Sequence, residues 1–135
     1  MRYMFDTNFC IYLMRRHPPE VAERFATMHY GDVVISAIVF AELRYGVERC
    51  SESRAIAERT LSALLQDILV LPFEANAAVS YGLLRAAVRD RKRDALDRLI
   101  AAHAASLCLT LVTNNVADFK DYPGLIIENW ISANR

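Results

Sequence analysis

The sequence predicts an α/β protein of three layers (α/β/α), in which helices cover both faces of a short, mainly parallel β-sheet. Five short apolar runs are separated by segments in which apolar residues recur at helical spacing. Most of these runs are continuously apolar, as expected for parallel strands that are buried on both faces. Strands that alternate with helices favour a parallel sheet, because each helix returns the chain to the edge where the next strand begins.

The chain opens with a strand and two helices. Residues 2–5 predict a short buried strand, and the polar Asp6-Thr7-Asn8 predicts a turn that caps a helix reaching about residue 14. Pro18-Pro19-Glu20 predicts the start of a second helix that runs to about Met28, since proline is favoured in a first helical turn.

The middle of the chain predicts two further strands with helices between them. Val33-Val34-Ile35 is a β-branched run typical of a strand, and Ser36 is placed to cap a helix over residues 37–49. A helix over about residues 54–68 follows, because its apolar residues fall on one face. Leu69-Val70-Leu71 predicts the third strand.

The last part of the chain predicts two more helices and two more strands. The helices cover residues 74–91 and 95–107, and a strand over residues 109–112 follows them. The Pro123-Gly124 turn then leads into a short fifth strand over residues 125–127.

Composition indicates one soluble domain that spans residues 1–135. Apolar residues make up 54% and charged residues 24%, as in ordinary globular proteins. The 16 basic and 16 acidic residues cancel, so any nucleic-acid surface must be local. No apolar run approaches the roughly 18 residues of a membrane span. Three widely spaced cysteines without a CxxC pair predict buried free thiols and a cytoplasmic protein.

Three carboxylates lie within apolar segments, where folded chains usually avoid them. Asp6 follows Tyr3-Met4-Phe5, Glu42 interrupts residues 37–41 and 43, and Asp97 precedes Leu99-Ile100. An ionised carboxylate costs several kcal/mol or more to bury unless something compensates its charge. A shared divalent cation such as Mg²⁺ is a suitable compensator. The sequence therefore predicts an acid-lined metal site that acts on phosphates.

The predicted topology brings these acids to one edge of the sheet. Asp6 lies at the end of the first strand and Thr113-Asn114-Asn115 at the end of the fourth. Glu42 is in the helix after the second strand, and Asp97 is in the first turn of the helix before the fourth. Ligands of open α/β sheets bind beyond the carboxyl ends of the strands, so these residues are the candidate site.

The same residues resemble a known family. The chain looks like a PIN-domain ribonuclease and is similar in particular to the VapC toxins of bacterial type II toxin–antitoxin systems. The segments that carry the resemblance are Asp6-Thr7-Asn8, Ser36-Ala37-Ile38 with Ala41-Glu42-Leu43 and Gly46, residues 97–104, and Thr113-Asn114-Asn115 with Asp118-Phe119.

The resemblance implies a Mg²⁺-dependent endoribonuclease, with Mn²⁺ as a substitute ion. It also implies a homodimer that a cognate VapB-type antitoxin silences by inserting a peptide near the active site, and RNA substrates such as initiator tRNA. Asp6, Glu42 and Asp97 fall on the family's acidic positions as catalytic and metal-binding residues. Asn8, Ser36 and Thr113 have supporting roles in this interpretation.

Two departures from the family pattern leave alternatives open. Many members have a fourth acid where this chain has Asn115, so either three carboxylates suffice or Asp118 contributes. The segment before Asp97 lacks the usual glycine or proline, and Asp94 is a rival ligand there. His103 lies on an apolar helical stripe and is expected to be a packed, hydrogen-bonded core residue.

Local basic residues are the candidate RNA contacts. Arg85, Arg89, Lys92 and Arg93 lead towards Asp97, where they would hold the RNA backbone beside the metal. A receiver domain is disfavoured because the third strand ends at Leu71-Pro72 without a phosphoacceptor aspartate. The remaining alternative is a catalytically silent PIN module that binds RNA or protein.

Overall fold

The computed structural model describes residues 1–88 and 95–131 of the 135-residue chain. Within those residues, the predicted strands and helices occur in the predicted order, and one further short helix, Val116–Phe119, precedes the last strand. The elements are β1 (Tyr3–Phe5), α1 (Thr7–Arg15), α2 (Pro19–Phe25), β2 (Val33–Ser36), α3 (Ala37–Glu48), α4 (Arg54–Asp67), β3 (Leu69–Leu71), α5 (Ala75–Ala87), α6 (Ala95–Ser106), β4 (Thr110–Val112), α7 (Val116–Phe119) and β5 (Ile126–Glu128).

The five strands form one parallel sheet in the order β3-β2-β1-β4-β5, flanked by helices, which confirms the predicted α/β class. Each of the four neighbouring pairs is parallel, so every carboxyl end lies at the same edge. The chain moves outwards from β1 to β3 and then crosses to β4 on the other side of β1. That change of direction opens a crevice between the ends of β1 and β4, the usual ligand position in such sheets.

An aromatic cluster fixes β5 against the centre of the sheet. The Trp130 ring meets Tyr3 and Phe5 edge-on, with centroid separations of 5.3 and 5.1 Å. Arg24 of α2 lies over the Trp130 ring at 4.4 Å and pairs with Glu128 of β5. The Trp130 indole N–H also donates to Glu128, at 3.0 Å. These contacts hold the outer strand in register beside β4, whose end carries site residues.

Some helix and strand ends differ from the sequence predictions. Helix α2 ends at Phe25, so Met28 lies in the turn that follows, where its N–H donates to the Phe25 carbonyl. Strand β5 begins and ends one residue later than predicted, at Ile126–Glu128. Helix α5 ends at Ala87, and the rest of the predicted helix falls largely outside the described residues.

The buried-thiol prediction is confirmed for one cysteine. Cys10 is fully buried, Cys50 is half-buried, and Cys108 is exposed in a turn with a positive φ of 56°. His103 is buried as predicted and its ring meets Phe73 edge-on, but Nδ1 has no hydrogen-bond partner within residues 1–88 and 95–131. No helix in the same two segments has both the length and the apolar character needed to cross a membrane.

Candidate active site

Asp6 begins the site at the point where β1 becomes α1. It is the N-cap of α1: its backbone is extended and its Oδ1 accepts the Phe9 N–H at 2.9 Å. The Asn8 N–H and the Thr113 hydroxyl also donate to this carboxylate. The side chain is only 6% exposed, because β1 is the central strand and lies between β2 and β4. The predicted turn residue is therefore a buried carboxylate at the sheet's carboxyl edge.

Burial controls the charge state of Asp6. Desolvation raises the pKa of this carboxyl, and the nearby Glu42 carboxylate raises it further. The three donors oppose the shift, yet the pKa remains above its ordinary value of 3.8. Hydrogen bonds alone thus compensate the buried negative charge incompletely. A cation beside Asp6 would complete the compensation.

Glu42 is held by a threonine of another helix. It lies in the middle of α3 and is half-buried, and its Oε1 accepts the hydroxyl of Thr7 at 2.6 Å. Thr7 directly follows Asp6, so the hydrogen bond places Glu42 beside the end of β1. The charge of Glu42 acts on the Asp6 carboxyl. The structure therefore brings Asp6 and Glu42 together, although they are distant in sequence.

The loop between β4 and α7 completes one side of the site. Thr113 is fully buried, and its hydroxyl accepts the Asn115 N–H at 3.0 Å. The Asn115 side-chain amide donates to Asp118 Oδ2 at 2.7 Å. Next to it, the Asn114 amide donates to the Tyr12 hydroxyl of α1 at 2.8 Å. Asn115 thus orients Asp118, and both belong to a network that starts at Asp6 and Thr113.

Asp97 lies in the first turn of α6, as predicted, and is half-buried. Because α6 precedes β4 in a parallel sheet, its first turn lies at the carboxyl edge with the other acids. In the described segments, however, no three histidine, cysteine or acidic side chains are arranged to hold a metal ion together. Asp97 is placed at the correct edge, while Asp6 and Glu42 form the paired part of the site.

The donor set fits a hard divalent cation. Asp6 and Glu42 offer carboxylate oxygens, which suit Mg²⁺, and Mg²⁺ commonly uses one or two carboxylates and keeps several waters. Cys10 lies behind Asp6, but burial raises the pKa of its thiol well above 9.0, so it stays protonated and is a poor ligand. The residues present therefore match the predicted Mg²⁺ or Mn²⁺ better than a soft metal.

The remaining predicted residues divide into three groups. Ser36 is fully buried, and its hydroxyl caps α3 by accepting the Ile38 N–H at 3.0 Å, so its contact is structural. The Asn8 side chain is exposed, and its backbone N–H is what reaches Asp6. Arg85 is exposed and donates to Tyr81 of its own helix at 3.0 Å. The candidates outside the described residues are Arg89, Lys92, Arg93 and Asp94.

The sequence does not mark two residues of the site. Thr7 falls in the predicted capping turn, and Tyr12 falls within the first predicted helix. Each contacts a partner far along the chain: Glu42 for Thr7, and Asn114 for Tyr12. A spacing of five residues puts Thr7 and Tyr12 on different faces of α1. Sequence periodicity therefore gave no sign that both would reach the site.

A large groove adjoins the Asp6–Glu42 pair. It encloses about 940 Å³ between α1, α3 and α4, and its lining is mainly apolar. Thr7, Glu42 and Leu96 lie at the acidic end, whereas Arg15 and Arg49 lie near the C-terminal ends of α1 and α3. The rise per helical residue puts Arg15 about 12 Å from Thr7 along α1. The groove is thus acidic at the site and basic at its far end.

The raised pKa of Asp6 predicts how the stability of the metal-free protein depends on pH. The folded state binds the proton of the Asp6 carboxyl more tightly than the unfolded chain does. The protonated carboxyl therefore adds to the stability of the fold at low pH, and this contribution is lost as pH rises through the folded pKa. Thermal unfolding in EDTA between about pH 4 and 8 measures this. Relative to Asp6→Asn, the wild type should lose stability progressively as pH rises. If the difference in stability between wild type and Asp6→Asn does not change with pH, the raised pKa is wrongly assigned to Asp6.

Comparison with known proteins agrees with this fold, which is that of a PIN domain: residues 3–125 match the PIN domain family. Ribonuclease VapC2 of Rickettsia felis is 37% identical, covering 96% of this chain and 98% of the relative. The tRNA(fMet)-specific endonuclease VapC of Shigella flexneri is 36% identical with the same coverage. The chain therefore belongs to the VapC family of PIN-domain proteins.

Solved structures lead to the same family. In the DNA-bound VapBC crystal structure from Salmonella typhimurium, a chain superposes with a TM-score of 0.88 at 33% identity, covering 97% of this chain and 99% of that one. A chain of VapBC2 from Rickettsia felis, bound to a DNA fragment from their promoter, has a TM-score of 0.85 at 37% identity, covering 97% and 100%.

Proposed function

We propose that this protein is a divalent-metal-dependent endoribonuclease that acts as the toxin of a toxin–antitoxin pair and inhibits translation and growth. The pairing of Asp6 with Glu42 at the carboxyl edge carries the proposal, because two adjacent carboxylates, one of them buried, suit a cation and a phosphate substrate. The VapC relatives, which are named as ribonucleases and endonucleases, support the reaction class.

The chain's own residues prepare the site for phosphodiester hydrolysis. Asp6 and Glu42, with Asp97 from α6, would hold Mg²⁺ or Mn²⁺ and its water ligands. The ion supplies Lewis acidity, which lowers the pKa of a bound water and offsets charge on the phosphate oxygens. Backbone donors and Thr113 fix the orientation of Asp6, and Thr7 fixes that of Glu42. Asn115 orients Asp118 at the border of the site, where it is a further candidate ligand.

The substrate we propose is a single-stranded loop of RNA, in which the backbone and splayed bases are accessible. The Shigella flexneri relative is named for tRNA(fMet), so initiator tRNA is the first candidate. Arg85 is exposed on α5, and Arg89, Lys92 and Arg93 follow it in sequence, which makes them candidate phosphate contacts. Such contacts position RNA without reading its sequence.

Purified protein incubated with total RNA tests this function. Discrete new 5′ ends should appear with Mg²⁺ or Mn²⁺ and disappear in EDTA, and initiator tRNA should be among the substrates. Calorimetric titration of the ion, without RNA, should show binding. Ion binding without cleavage of any RNA would favour the alternative, a silent PIN module that binds RNA or protein.

The groove is suited to binding a peptide, which we propose to be a segment of a cognate VapB-type antitoxin. Its apolar lining suits an amphipathic peptide. The charges at its two ends predict that the peptide has a cationic side chain at Glu42 and an acidic group near Arg15 and Arg49. The VapBC complexes among the similar structures support this partner. A peptide seated there would reach the acidic pair and block access to it.

We also propose a cytoplasmic homodimer. Val79 and Leu83 are exposed on one face of α5, with relative residue exposures of 66% and 68%. They are one helical turn apart and form an apolar stripe that a second copy would cover. A cytoplasmic location is consistent with the free cysteine thiols.

A further inference from the structure

We propose that Thr7 is a positioning residue of this site: its hydroxyl fixes the Glu42 carboxylate in the orientation that receives the metal ion or one of its water ligands. The inference rests on the proposed metal-dependent function. It assigns a role to a residue that sequence patterns place in an ordinary capping turn.

The first support is the geometry of the contact. Thr7 Oγ1 donates to Glu42 Oε1 at 2.6 Å, across 35 residues of sequence and from α1 to α3. Within the two described segments this is the only hydrogen bond that the Glu42 side chain makes. Hydrogen bonds to a charged carboxylate are shorter and stronger than neutral ones. Thr7 is therefore the principal restraint on the rotation of this side chain.

The second support is that Thr7 is not needed as a cap. A threonine hydroxyl at the start of a helix commonly serves the free backbone N–H groups of the first turn. Here Asp6 already accepts the Phe9 N–H at 2.9 Å. The Thr7 hydroxyl is directed instead towards another helix, into the groove that both residues line.

The third support is that the hydrogen bond leaves the second carboxylate oxygen of Glu42 available. Oε1 of Glu42 accepts from Thr7, which leaves Oε2 for the ion or its water. Without this bond the half-buried Glu42 side chain would have more rotamers open to it, and ordering it on metal binding would cost more rotamer entropy. Thr7 reduces that cost before the ion arrives. Residues that orient a metal ligand in this way typically change affinity or activity by about 10–100-fold when they are replaced.

Three variants test the role. Thr7→Val keeps the branched shape and removes the hydroxyl, and Thr7→Ser keeps the hydroxyl. Thr60→Val is the matched control, because Thr60 lines the same groove but donates to the Ile56 carbonyl of its own helix at 2.9 Å. Mn²⁺ binding to the full chain is measured by calorimetry in the absence of RNA.

Thr7→Val should weaken Mn²⁺ binding about 10–100-fold, while Thr7→Ser and Thr60→Val stay within about threefold of wild type. In a Glu42→Ala background, Thr7→Val should have no further effect, since it acts through that carboxylate. A structural role alone would lower the melting temperature without this coupling.

The outcomes separate the inference from the proposed function. If wild type binds Mn²⁺ and Thr7→Val weakens binding while no RNA is cut, the positioning role stands and the ribonuclease proposal fails. If wild type cuts RNA and Thr7→Val binds Mn²⁺ as tightly as wild type, the positioning role is overturned. Equal loss of binding in Thr7→Val and Thr60→Val would overturn it as well.

Discussion

Replacing Asp6 with asparagine should abolish RNA cleavage, with a loss of rate of about a thousandfold or more. The variant removes the negative charge that the ion requires but keeps the shape of the side chain. Asparagine caps helices as well as aspartate does, so the turn into α1 should persist. Since the buried charge is also lost, the metal-free variant should be more stable than wild type at neutral pH, by about 1 kcal/mol.

Brief induced expression measures both consequences in cells. Wild type should arrest growth and produce discrete new RNA 5′ ends, whereas Asp6→Asn should do neither although it accumulates as folded protein. Glu42→Gln should also be inactive, because it removes the second charge of the pair. Asp67→Asn is the matched control, since Asp67 is an exposed acid at the end of α4 and should remain toxic.

The assignment of Asp6 fails on one result in particular. If Asp6→Asn and Glu42→Gln arrest growth as strongly as wild type, the carboxylate pair is not the catalytic centre. Measurements on the purified variants then distinguish ion binding from RNA cleavage, because Mn²⁺ affinity and cleavage rate are measured separately.

The fold could be predicted because burial leaves a direct mark on the sequence. β2 opens with the apolar run Val33-Val34-Ile35 and is buried along its whole length, and Ser36 at its end caps the following helix as expected. Asp6 stood out for the same reason, as a charge that directly follows an apolar strand. Where the pattern is local, such as a buried apolar strand or a helix N-cap, the sequence alone is sufficient to predict it.

The contacts between distant segments could not be predicted in the same way. Nothing near Thr7 in the sequence indicates Glu42, and nothing near Tyr12 indicates Asn114, because each pair is brought together only by helix packing on the sheet. The end of helix α2 was predicted wrongly: its apolar spacing continues to Met28, but the helix ends at Phe25. Periodicity reports which residues are buried and does not report which neighbour they meet.

A substitution at Gly46, which lines the groove in α3, tests whether the antitoxin binds there. Apart from its chain neighbours and the backbone of its own helix, a Cβ built at this glycine would meet no atom of the described residues within 4 Å, so the position has room for a side chain to begin. Gly46→Phe should therefore fold normally and weaken antitoxin binding by about 100-fold or more, equivalent to about 2.7 kcal/mol. Glycine is also a poor helix former, so the exchange favours α3.

Gly82→Phe is the matched control, because Gly82 is also helical and also has open space at its Cβ position, but lies on α5 away from the groove. Calorimetry with the purified antitoxin should give wild-type affinity for Gly82→Phe and weak binding for Gly46→Phe. In cells that co-express the antitoxin, only Gly46→Phe should remain toxic. If the antitoxin neutralises both variants equally, the peptide binds elsewhere, and the polarity between Glu42 and Arg15 has no part in its recognition.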